Sequence, residues 1–199
     1  EVQPWSFSQK VVRQLWYVTE ATLFRYSPRT AYGFRAWLLR CFGAQVHPTA
    51  RVRSSVTVEI PWHLSIGAAT IIGDHAILYC LGPVKIGARA CISQYAHLCA
   101  GTHDFTRRDF ALIKAPITIG DDAWVAADCF VGPGVTIGEG AVLGARSNAF
   151  GDLPPWMICV GSPARPDLPR DPTALVYPGV EFGLIDEPIA SARLKRLRR

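Results

Sequence analysis

The amino-acid sequence predicts an all-β solenoid, a parallel β-helix, and three columns of residues carry that prediction. Stepping by six from Ile119 gives Val125, Val131, Ile137 and Leu143, every one a branched aliphatic. The next residue of each hexad is Gly120, Ala126, Gly132, Gly138 or Gly144, and the fifth is Ala123, Cys129, Val135, Ala141 or Ser147. The same register appears at Ile66 and Ile72 and resumes, after a two-residue slip, at Ile86, Ile92 and Leu98. A weaker run precedes these at Val46, Val52 and Val58.

Each element of the coil follows from these columns. The aliphatic residue points into a narrow prism and stacks on its equivalents in neighbouring coils. Glycine is expected at the corners, where a sharp turn needs positive φ. The small fifth residue fits where the prism tapers. A sandwich would show strand alternation with turn signals every eight to twelve residues, and that pattern is absent.

A longer echo measures the coil. Leu64-Ser-Ile-Gly, Val84-Lys-Ile-Gly, Ile117-Thr-Ile-Gly and Val135-Thr-Ile-Gly are separated by 20, 33 and 18 residues. The long interval contains an extruded loop, residues 104–116, which begins directly after His103. Long excursions on a regular scaffold carry function or interfaces. The chain therefore divides into an N-terminal helical cap (1–43), the β-helix (44–165) and a C-terminal extension with a basic tail (166–199). In the cap, residues 8–25 and 29–42 have helical spacing. Val12, Leu15, Trp16 and Leu23 suit one inward face, and Phe34, Trp37, Leu38 and Cys41 the other. Docking of these helices on a membrane surface is the alternative, encouraged by Arg13, Arg25, Arg29, Arg35 and Arg40.

Composition bounds the function. The 199 residues are 49% hydrophobic and 19% charged, which supports a sizeable core and argues against intrinsic disorder. The net charge of +5 resides in the two ends, residues 1–43 and 191–199, and the segment between is net acidic. Nucleic-acid binding is not expected, because no basic face interleaved with aromatics and no known module appears. The basic termini leave peripheral membrane contact open. No signal peptide or spanning segment is visible, so a cytoplasmic location is expected. The six cysteines form no CxxC pair and no metal spacing, and read as reduced thiols.

The repeat columns, the segment Gly101-Thr-His-Asp, the stretch Ala115-Pro-Ile-Thr-Ile-Gly-Asp-Asp-Ala-Trp-Val and the exit Gly161-Ser-Pro-Ala-Arg together resemble the hexapeptide-repeat acyltransferases. Among these the chain looks most like the sugar O-acetyltransferases of the colanic-acid-biosynthesis type. The resemblance covers residues 5–168 and implies a left-handed β-helix, assembled as a homotrimer with active sites between subunits. It implies acetyl-CoA as donor, a sugar or glycan hydroxyl as acceptor, and His103 as general base. The chemistry suits that residue: a sugar hydroxyl must lose its proton as it attacks the thioester, and a neutral imidazole can accept it. By the same resemblance Trp124 lines the cleft, Ala127 and Ala145 meet pantetheine through their backbone, and Arg165 meets CoA phosphate. Asp104 is a candidate for orienting His103 or binding the acceptor, and equally for a solvated loop residue.

Two departures stand out. Gly151 occupies a position where many relatives carry a phosphate-binding lysine, with Arg146 or Arg170 as replacements. Gly73 and Leu81 stand where galactoside-type relatives have an asparagine and an aspartate, so galactoside specificity does not transfer. Two other readings compete. A γ-carbonic-anhydrase-like zinc enzyme would use His75, His97 and His103. The six-residue spacing of the last two does not suit one ion, so no metal is expected. A non-enzymatic β-helical scaffold would need neither His103 nor the loop.

Overall fold

The computed structural model describes residues 5–174, which form a left-handed parallel β-helix of about six coils with helices at its N-terminal end. The basic tail, residues 191–199, lies outside the described residues. Each coil lays one short strand on each of three sheets. Face A stacks Gln45–Val46, Leu64–Ile66, Val84–Ile86, Ile117–Ile119 and Thr136–Ile137. Face B runs from Arg51–Val52 through Ile71–Ile72, Cys91–Ile92, Trp124–Val125 and Val142–Leu143 to Met157–Gly161, and closes with the antiparallel strand Ala164–Pro169. Face C stacks Thr57–Val58, Ile77–Tyr79, His97–Cys99, Phe130–Val131 and Asn148–Ala149.

The aliphatic column is the core: Ile72, Leu78, Ile92, Leu98, Val125, Val131, Ile137 and Leu143 are fully buried. Burying each such side chain is worth about 1.5–3 kcal/mol. The small fifth residues, from Thr70 and Ala76 to Ala141 and Ser147, are buried as expected, except Thr102, which is exposed where the chain leaves the coil.

The corners correct the glycine expectation. Positive φ falls two residues after the glycine column, on Ala69, His75, Arg89, Tyr95, Asp122, Asp128 and Arg146, with φ between 55° and 61°. Glycine fills that left-handed position only at Gly134 and Gly140, with φ of 80° and 62°, and the column glycines serve close approach instead. A Cβ on Gly120 would sit 2.5 Å from the Glu139 nitrogen in the next coil. Coil spacing excludes a side chain there, whereas the left-handed positions accept side chains: His75, Tyr95, Asp128 and Arg146 are exposed, and Asp122 is buried in a two-pronged ion pair with Arg89.

The helical end docks on the first coils through α1 (Phe7–Thr19) and α2 (Tyr32–Cys41), joined by a π-helical turn, Glu20–Phe24. Ser6 caps α1 in a capping box with Gln9. The inward faces differ from those read in the sequence. Trp16, Glu20 and Phe24 are buried from the first segment, and Arg35, Ala36, Leu38 and Leu39 from the second. Leu15, Leu23, Trp37 and Cys41 are exposed. The Trp16 indole donates to the Val58 carbonyl at 2.6 Å, and the Glu20 carboxylate accepts from the Val58 N–H at 2.7 Å.

Burial raises the Glu20 pKa, with the Val58 hydrogen bond working against it. An acid whose folded value lies above its unfolded value binds its proton more tightly in the native state. Stability from this group is therefore present at low pH and is lost as pH rises through the window between the two values. Gln at this position keeps the acceptor and removes the charge. Glu20→Gln is expected to flatten the pH dependence of the melting temperature from about pH 4 upward and to melt higher than wild type at neutral pH.

Candidate active site

The extruded segment is an antiparallel hairpin, Gly101–His103 against Leu112–Lys114, with His103 opposite Leu112. It leaves the prism at the corner between faces C and A. Gly101 turns out over the buried Leu81, whose Cδ1 would meet an added Cβ at 2.8 Å. Leu81 thus supports the hairpin root from below. Across the insertion the coil stays in register, with Ile117 paired to Val84 and Ile119 to Ile86.

His103 ends the outgoing strand with its ring exposed. Its Nδ1 lies 2.7 Å from the carbonyl oxygen of Phe110, and its ring stacks on the Phe110 ring at 4.4 Å and 7°. A carbonyl can only accept, so Nδ1 carries the proton and Nε2 the lone pair. Phe110 presents both groups from a left-handed backbone, φ 47°. Nothing in the sequence marks it, because a main-chain carbonyl has no residue type.

The Asp104 carboxylate turns away from His103 and accepts from the Thr106 N–H at 3.0 Å and the Thr106 hydroxyl at 2.6 Å. The orienting contact of His103 is therefore the Phe110 carbonyl. At the hairpin tip Arg107 and Asp109 form a two-pronged ion pair at 2.9 and 2.7 Å, which holds the Asp109 carboxyl below its usual range.

The remaining candidates lie on another edge. Trp124 is on face B with its indole N–H donated to the Ser93 hydroxyl at 2.9 Å. Ala127 and Ala145 follow Val125 and Leu143, which pair with strand neighbours of adjacent coils at the corner between faces B and C. Ala145 is exposed, and the Ala127 carbonyl accepts from the Arg146 N–H at 2.9 Å. Arg165 is exposed on the last strand of face B, opposite Val160. Successive coils are about 4.8 Å apart, and Ala127, Ala145 and the strand carrying Arg165 follow one another along the axis, with Trp124 on face B in the same coil as Ala127. Within one chain, face C separates this row from the His103 hairpin.

Of the two replacements for the family lysine at Gly151, Arg170 is spent on the carbonyls of Asp122 and Gly140, at 2.9 and 2.8 Å. Arg146 is exposed and holds Asp128 at 3.0 Å. The three histidines of the zinc reading are scattered. His75 stacks on Tyr95 at a corner, His97 lies between the rings of Tyr79 and Phe130 on face C, and His103 is in the hairpin. Among the described residues no three His, Cys, Asp or Glu side chains come together as a metal site.

Residues 116–148 match the family described as bacterial transferase hexapeptide (six repeats). The chain is 46% identical over 151 residues to the "Putative colanic acid biosynthesis acetyltransferase WcaF" of Escherichia coli, covering 76% of this chain and 83% of that protein. This chain belongs to the hexapeptide-repeat acetyltransferases. Among solved structures, a hexapeptide-repeat acetyltransferase of Vibrio cholerae complexed with acetyl-coenzyme A superimposes with a TM-score of 0.75 at 26% identity, covering 83% of this chain and 91% of that one. A galactoside acetyltransferase in complex with coenzyme A gives 0.77 at 23% identity, covering 85% and 86%, and shares the fold. Family membership makes the protein an acyltransferase and sets aside the scaffold reading.

Proposed function

We propose that this acetyltransferase moves an acetyl group from acetyl-CoA to a sugar hydroxyl during assembly of an exopolysaccharide or related surface glycan, with His103 as general base. The observation that carries the reading is the hydrogen bond from His103 Nδ1 to the Phe110 carbonyl, which leaves Nε2 as a base on an exposed ring. CoA supplies the activated acyl group as a thioester. The acceptor hydroxyl gives its proton to Nε2 as its oxygen attacks the thioester carbon. The C–S bond then breaks and the imidazolium returns that proton to the thiolate, leaving a sugar ester and free CoA. The glycan assignment rests on the name of the Escherichia coli relative.

The separation of His103 from the row of Trp124, Ala127, Ala145 and Arg165 supports a homotrimer. In that assembly the hairpin of one subunit faces the CoA row of its neighbour, and each site needs both. The row fits an extended donor: small residues leave the backbone accessible along it, an indole stands at one end, and a guanidinium suited to phosphate stands at the other.

Release of free thiol from acetyl-CoA in the presence of a panel of sugar acceptors tests the reaction. Mixed assembly tests the site. His103→Ala and Arg165→Glu subunits are each expected to be poorly active, and equal mixtures refolded together should recover about a quarter of the wild-type sites. Thiol release from wild type with no acceptor in the panel, or no recovery in mixed trimers, would overturn the corresponding part.

A further inference from the structure

We propose that α1 seats the protein on an anionic lipid surface, with its outer apolar stripe in the acyl–headgroup boundary. The observation is a helix that docks by one side and keeps an apolar stripe on the opposite, exposed side. Trp16, Glu20 and the partly buried Arg13 and Tyr17 define the inward side, where Arg13 and Tyr17 both bind Glu59. At 100° per residue, Phe7, Val11, Leu15 and Val18 fall within an arc of about 80° on the far side. Phe7 is 84% exposed, and Leu15 and Val18 are 56% exposed each. A helix serving only as a cap would present polar residues there. Beyond the π-helical turn, Leu23 and Tyr26 are also exposed, and on α2 the exposed Phe34 and Trp37 rings stack at 5.9 Å.

Charge selects the occupant. Between residues 5 and 43 the sequence has a single acidic residue, Glu20, and it is buried against Val58. Arg13 and Arg35 are turned inward. The charges left at the surface of this end are those of Lys10, Arg25, Arg29 and Arg40, all positive, with Arg29 within 3.9 Å of Asp74. A second copy docked by the same stripe would bring like charges together, since a two-fold contact repeats each patch on itself. An anionic bilayer answers both halves of the surface: acyl chains take the apolar stripe, and headgroups take the lysine and arginines. Tyr26 and Trp37 are residue types that favour that boundary. The 13 residues of α1 are too few to cross a bilayer, and no helix among the described residues is long and apolar enough to do so. The helix therefore lies in the plane of the surface. This assignment is independent of the catalytic reading and locates membrane contact in α1 rather than in the basic tail.

Flotation of the full-length protein with vesicles tests it, comparing phosphatidylcholine alone with phosphatidylcholine containing about a third phosphatidylglycerol. Wild type is expected to bind the anionic vesicles and to release at high salt. Leu15→Glu/Val18→Glu should weaken binding at least about tenfold, with the far-ultraviolet spectrum and assembly size unchanged. Lys10→Glu/Arg29→Glu, which leaves the stripe intact, should weaken it as well, and removal of residues 191–199 should leave most of the binding in place. The proposal is overturned by a wild type that does not float, by apolar-face variants that bind as wild type does, by loss on tail removal alone, or by a change in assembly size that reveals the stripe as a contact between copies.

Discussion

His103→Asn is expected to lower kcat by about 10²–10⁴-fold, a loss of roughly 3–5 kcal/mol of transition-state stabilisation. Asparagine is chosen because its side-chain amide can still donate to the Phe110 carbonyl, as Nδ1 does at 2.7 Å in the native hairpin. The orienting bond survives and the lone pair at Nε2 does not. With the donor held as proposed by Trp124, Ala127, Ala145 and Arg165 and not by the hairpin, the thermal shift produced by acetyl-CoA is expected to persist. Steady-state thiol release, with acetyl-CoA binding followed by calorimetry, separates the two effects. Activity within about fivefold of wild type would sink the general-base assignment. Loss of CoA binding together with turnover would mean that His103 holds the donor.

Arg35→Met is expected to cost about 2–4 kcal/mol, the largest stability effect predicted for the helical end. The Arg35 side chain is fully buried and, among the described residues, forms no ion pair with a carboxylate, Asp74 acting on it only at longer range. Its guanidinium donates to the carbonyls of Val52, Pro28 and Arg29 at 2.6–2.8 Å and to the Ser27 hydroxyl at 2.8 Å, and lies 5.0 Å from the Tyr32 ring centre. Burial depresses its pKa. Methionine fills much of the same volume and leaves those carbonyls unpaired in a dry site, so the penalty is mainly that of stranded acceptors. The loss should be local. Amides of α1 and α2 should exchange faster with solvent while those of the central coils keep their protection. Arg40→Met is the control: Arg40 is exposed and among the described residues makes one bond, 3.0 Å to the Val46 carbonyl, and should cost less than about 1 kcal/mol. Equal effects of the two substitutions would refute the account.

The coil was legible because a prism this narrow accepts little but branched aliphatics inside it, and their six-residue period survives in the bare sequence. The corner geometry was not. Left-handed φ at Arg89 or Tyr95 is imposed by the coil on residues that lean into solvent, and no residue type records it. The helical faces were misread for two reasons. Helix α1 has apolar residues on both sides, so periodicity alone cannot say which side docks. Trp16, Glu20 and Phe24 also recur at four-residue intervals, and the acid in the middle of that row disguised it as a polar side, because its partner is the Val58 main-chain N–H. Arg35 looked like surface charge, since its partners are main-chain carbonyls. At the candidate site the position of His103 at the loop root was legible, whereas the Phe110 carbonyl and the Ser93 hydroxyl that holds Trp124 appear only once the chain is folded.

The register of the coil passes across the hairpin as if the insertion were absent: Val84, Lys85 and Ile86 pair directly with Ile117, Thr118 and Ile119, although 33 residues separate them in sequence. Length and composition of the hairpin tip are thereby uncoupled from the folding of the prism. A lineage of such enzymes can exchange tips while the scaffold stays fixed. For engineering, the segment between His103 and Phe110 is the natural graft point, because a transplant there inherits an intact base of support on Leu81 and Gly101.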